Sequence, residues 1–173
     1  AQNLQFRQLA EEYTEMGKQS LGYGDFVSED EVPYGKVNKF DEIAFKSANA
    51  NFDKAIRLCP TYTPAYVGKA HLLYSVGEAE EAERLYKKAL EAVPNSFEVH
   101  LALGNLYSDL KDVQEAIKSY KRAIKADKKA PQPYEALAGI FGRMGLEDKA
   151  EECEEKAERL RKAQTKSRKK RKK

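Results

Sequence analysis

The residues able to do covalent or metal chemistry are few, and their spacing assembles none of it. The 173-residue chain holds two histidines, His71 and His100, and two cysteines, Cys59 and Cys153. No nucleophile stands with an evident base, no glycine-rich phosphate loop occurs, and no Cys/His spacing suits zinc. The two cysteines are too far apart in sequence to read as a redox motif or a disulfide framework. They read as structural thiols and lean towards a reducing compartment. The expectation is therefore no enzymatic activity, no metal, no cofactor and no small-molecule substrate. What remains is the chemistry of binding.

One binding feature is charge. The formal net charge of +3 hides an asymmetry, because residues 162–173 hold eight Lys or Arg and no acid. The rest of the chain carries 28 acids against 23 bases. Arg168, Lys169, Lys170, Arg171, Lys172 and Lys173 form a cluster suited to phosphates or an anionic membrane. The segment has no aromatic residue for base stacking and no apolar period, so it is expected to be a disordered tail.

The elements that would position other contacts follow from a repeat. Shifted by 34 residues, Tyr66, Ala70, Leu73, Ala82, Tyr86, Ala89 and Pro94 fall on His100, Gly104, Tyr107, Ala116, Tyr120, Ala123 and Lys128. A third frame carries Tyr134, Ala138, Phe141, Ala150, Glu154 and Ala157. Small and aromatic residues recurring at this period indicate stacked helix pairs. Pro64 opens one helix and Gly77 closes it, Glu78 to Ala92 forms its partner, and small Ala70 and Ala82 let the two approach.

Upstream, Phe6, Ala10, Tyr13 and Gly17 repeat the first-helix spacing, with Gly17 at its expected end. The matching second-helix positions, Ala48, Phe52, Ala55 and Pro60, come only after residues 18–43. The organisation predicted is a helical domain over residues 1–161: a split first repeat (3–17 and 44–60), then repeats over 63–96, 97–130 and a capping 131–161. The insertion carries Phe26, Glu29, Asp30, Glu31 and Tyr34, more apolar and acidic matter than a solvated linker needs, and is expected to help choose a partner.

The pattern resembles the tetratricopeptide repeat. That resemblance implies an all-α, right-handed superhelical solenoid of antiparallel helix pairs whose first helices line a concave groove for a protein or peptide segment. The residues it places on the groove are Val67, His71 and Tyr74, then Leu101 and Asn105, then Gly139, Gly142 and Arg143. Gly139 and Gly142 sit inside a predicted helix, where each costs about 1 kcal/mol relative to alanine. Either tight helix packing or a bare strip for ligand backbone accounts for them. Co-chaperones of this family grip a C-terminal carboxylate with Lys, Arg and Asn. Here those slots carry Glu11, Val67, Gly68, Leu101, Ala102 and Ala136, with Asn105 alone resembling a member of the clamp. That particular ligand is not expected.

Composition permits a well-solvated helical chain, with 41% hydrophobic and 34% charged residues, and no apolar run is long enough to cross a bilayer. The sequence starts at Ala1 without a methionine, which leaves a removed targeting peptide open beside a cytoplasmic setting. Self-association is left open as well.

Overall fold

The computed structural model describes residues 2–21 and 42–171. These form eight α-helices: α1 (Gln2–Ser20), α2 (Glu42–Leu58), α3 (Thr63–Ser75), α4 (Ala79–Ala92), α5 (Phe97–Asp109), α6 (Val113–Ala126), α7 (Gln132–Arg143) and α8 (Glu147–Arg171). The fold is all-α. The helices fall into two compact units divided between Pro94 and Asn95, α1 to α4 in the first and α5 to α8 in the second. Consecutive helices pack on one another within each unit, and α1 also reaches α3.

The 34-residue period is written into the backbone of the turns. The N–H groups of Glu78, Asp112 and Leu146 donate to the carbonyls of Leu73, Tyr107 and Phe141 at 3.0, 2.8 and 2.9 Å. Each bond satisfies a carbonyl in the last turn of the preceding helix. One residue earlier the chain is left-handed in all three turns, at Gly77 (φ 88°), Lys111 (φ 64°) and Gly145 (φ 70°). Glycine takes that conformation without a Cβ penalty; Lys111 does not. Asp112 then caps α6 by accepting the Glu115 N–H at 3.2 Å, and Ser96 caps α5 in the same way from Val99.

In the first unit the core gathers on Phe52, which is fully buried with Ala48 and Leu72. Its ring lies between Gly17 of α1 and Gly68 of α3, and a Cβ at either would come within 2.8 Å and 2.5 Å of the ring. Burying a ring of this size contributes about 1.5–3 kcal/mol. Gly17 is therefore not a helix terminus, as its spacing predicts, but a floor for Phe52 three residues before α1 ends. The same relationship appears in the second unit, where a Cβ on Gly104 would meet the Tyr120 ring at 2.5 Å. His100 is buried at its anchor slot. Phe6, by contrast, is 44% exposed, whereas Tyr66 in the equivalent position is 2% exposed.

Two expectations need correction. Because α1 runs to Ser20 and α2 begins at Glu42, the connection between them is shorter than the 18–43 that the period predicts. Ser20 Oγ and Ser47 Oγ meet at 3.1 Å across it. Phe26, Glu29, Asp30, Glu31 and Tyr34 lie outside the described residues. The second correction concerns the basic tail, since α8 continues to Arg171 as one 25-residue helix. Residues 162–171 lack both Gly and Pro and are mostly good helix formers. Lys162 Nζ pairs with Glu158 at 2.6 Å, and Gln164 Nε2 donates to the Lys129 carbonyl at 3.1 Å. Acids at the start of this helix and bases at its end also suit the macrodipole. Apolar periodicity stops at Leu160, but helix propensity does not.

Candidate functional site

In the first unit, α3 presents Val67, His71 and Tyr74. Val67 and Tyr74 are half-buried and His71 is exposed. The His71 ring sits edge-on to buried Tyr86, with centroids 6.4 Å apart and planes at 76°. Lys69, on the adjoining strip of α3, does not reach solvent freely. Its ammonium lies 2.5 Å from Asp53 Oδ1 of α2.

The second unit brings more chemistry together. Leu101 and Asn105 are half-buried on α5, while Gly139, Gly142 and Arg143 are exposed on α7. Tyr120 of α6 links into this set. Its hydroxyl donates to Asn105 Oδ1 at 2.8 Å. With its carbonyl oxygen engaged, Asn105 keeps two amide donors for a ligand. Burial, reinforced by the nearby negative charge of Asp109, pushes the Tyr120 hydroxyl up to about 12; the Ser108 bond and the Arg143 charge pull the other way. Burial also raises the Asp109 carboxyl, opposed by Lys111.

The two glycines of α7 have no packing duty among the described residues. A Cβ on Gly142 would find nothing within 4 Å, and one on Gly139 would meet only Arg143 Nη1 at an ordinary 3.6 Å. Tight packing, one of the two explanations offered by sequence, is thereby overturned. Glu135, higher on α7, forms an ion pair with Arg161 of α8 at 2.7 Å.

Tyr120 is the participant that sequence reasoning misses. Its repeat position marks it as a core ring, which it is, but the hydroxyl reaches past the core to Asn105. The available signal is a phenol in a slot where phenylalanine would fill the same space, as Phe52 does one unit earlier. Arg168, Lys169, Lys170 and Arg171 share the last turns of α8, and Lys172 and Lys173 lie outside the described residues. Cys59 and Cys153 are free and half-buried, and burial raises the Cys153 thiol, away from nucleophilic use. Among the described residues no group of three His, Cys, Asp or Glu side chains could hold a metal ion, and no helix is long and apolar enough to cross a membrane.

Helix pairs repeated every 34 residues, with small residues at the crossing and polar groups on the first helix of each pair, define a helical-repeat protein. Residues 67–131 match the model of the tetratricopeptide repeat family. No curated protein matches the chain. Among solved structures it is similar to MamA, with a TM-score of 0.67 and 18% identity over 91% of this chain and 81% of that one. It is similar also to Pseudomonas aeruginosa PilF, with a TM-score of 0.69 and 21% identity over 90% of this chain and 62% of PilF. A thermophilic tetratricopeptide-repeat protein of Thermus thermophilus aligns at a TM-score of 0.57 and 24% identity, covering 65% of this chain and 63% of that one. At these identities the likeness shows the fold.

Proposed function

We propose that the protein is a non-catalytic adaptor that binds a protein segment on the first helices of its repeats. The fold supports a protein-interaction scaffold in general terms. The finer reading is carried by one observation, the engagement of Asn105 Oδ1 by the Tyr120 hydroxyl. It fixes a pair of amide donors beside half-buried Leu101, and such donors match the carbonyls of a peptide backbone. Open backbone at Gly139 and Gly142 would let that peptide lie close to α7, with Arg143 available for an acidic side chain. Segment 22–41 contributes to partner choice in this reading.

The test is a crosslinking pull-down from the native source with three baits: wild type, Leu101→Glu/Asn105→Ala, and a chain with residues 22–41 replaced by a short Gly/Ser linker. Loss of the same protein from the second bait supports groove binding. Equal capture by wild type and the double variant, with helical circular dichroism intact, would sink it.

A second reading is favoured by the continuation of α8, which carries no acid beyond Glu158. In that reading the basic end attaches the repeats to a polyanion.

A further inference from the structure

We infer that the last turns of α8 and the turn between α6 and α7 form one surface for the phosphodiester backbone of double-stranded nucleic acid; this rests on the polyanion reading above. The observation that joins the two is the 3.1 Å bond from Gln164 Nε2 to the Lys129 carbonyl. It places the turn bearing Lys128 and Lys129 at the start of the free basic stretch of α8. Both lysines are exposed, as is Lys166 two residues beyond Gln164. Asp127 is the acid of that turn, and its carboxylate accepts the Lys129 backbone N–H at 2.8 Å.

Three bases of α8 are already engaged. Arg159 pairs with Glu155, Arg161 with Glu135 and Lys162 with Glu158. Past these three pairs the sequence continues with Lys166 and four bases at positions 168 to 171 and holds no acid. Acids at 147, 148, 151, 152, 154 and 155 would repel phosphate from the first half of the helix, so contact is confined to its far end.

Three alternatives fit less well. An amphipathic membrane helix needs an apolar face to bury, and after Leu160 this segment offers only Ala163. A flat anionic bilayer would favour bases on one side, yet at about 100° per residue positions 166, 168, 169, 170 and 171 are distributed around the helix. Such a distribution suits a groove walled by phosphates on two sides, and the major groove of a duplex admits an α-helix. Single strands are held largely by stacking on aromatic rings, and the segment has none. Binding is therefore to the duplex backbone and independent of its sequence.

The test uses the full chain and a fluorescent, random-sequence DNA duplex of about 20 base pairs, one to two turns longer than a single helix contact requires. Anisotropy is read across a salt series, with single-stranded DNA and phosphatidylserine vesicles as parallel probes. Log affinity for the duplex should fall linearly with log salt, and Lys128→Gln/Lys129→Gln should reduce the slope by roughly 1.8, the share of two phosphate contacts. Thr165→Pro leaves the charge unchanged but breaks the helix, and should weaken duplex binding on the order of tenfold. If both variants bind like wild type, the joined helical surface is overturned while attachment through a structureless tail survives. Absence of duplex binding at low salt overturns both. Equal or tighter binding to single strands or to vesicles overturns the duplex assignment.

Discussion

Lys69 Nζ stands 2.5 Å from Asp53 Oδ1, in a slot where the two later repeats place Leu103 and Leu137. The lysine side chain is only 18% exposed, and Asp53 is its ion-pair partner. Removing one partner of a largely buried pair costs more than replacing both. Asp53→Ala should therefore destabilise by about 1–3 kcal/mol, discounted because Asp53 is itself partly solvated. Asp53→Ala combined with Lys69→Leu should recover most of the loss. Urea midpoints for the two single variants and the double close the cycle.

Lys111 occupies the left-handed position that glycine fills in the other two turns. Replacing it with glycine should stabilise the second unit by roughly 0.5–1 kcal/mol, since the Cβ penalty outweighs the added chain entropy. Gly77→Ala and Gly145→Ala should destabilise by a similar amount. Thermal unfolding of the three variants would show opposite signs.

The glycines of the helices separate into two classes that alanine substitution will reveal. Gly139→Ala and Gly142→Ala enter open space and should each stabilise by about 0.5–1 kcal/mol through helix propensity. Gly68→Ala and Gly104→Ala drive a methyl into the rings of Phe52 and Tyr120 and should cost about 1–3 kcal/mol. If Gly139 and Gly142 serve a ligand's backbone, their variants will be more stable and bind the partner less tightly, a combination that packing alone does not produce.

Tyr120 supplies a pH signature. Its hydroxyl is held at about 12, above the ordinary value of 10.0, mainly by burial. Folding therefore favours the protonated phenol. Its contribution is complete below pH 10 and is lost as pH rises from about 10 to about 12, amounting to about 2–3 kcal/mol at the upper end. Tyrosinate absorbance should show a late-titrating group that disappears in Tyr120→Phe. That variant should also lose about 1 kcal/mol at neutral pH through the Asn105 bond.

Much of the architecture is legible because it is enforced by sterics at fixed offsets. Ala70, Ala82, Ala116 and Ala123 are small where helices cross, and Tyr86 and Tyr120 fill what lies between them. What escapes are features in which one residue type does another's work. Lys69 takes a leucine's place by borrowing a carboxylate from α2, and Lys111 takes a glycine's backbone. Tyr120 looks like a core ring and acts also as a donor. The helical end of α8 is invisible to apolar periodicity because propensity, ion pairs and the Gln164 contact maintain it. Lys128 and Lys129 belong with that end through a fold contact 35 residues distant, which no local pattern encodes.

The wedge of Phe52 between Gly17 and Gly68 has a further consequence for the link between α1 and α2. Ala10, Thr14 and Gly17 on one side and Ala48, Phe52 and Ala55 on the other are all buried, so side-chain packing sets how α1 seats on α2. Lengthening a loop is thermodynamically mild, since each doubling of its length costs only about 0.6 kcal/mol. This junction is a natural port: the packed faces of α1 and α2 should still find each other when the chain is cut between them.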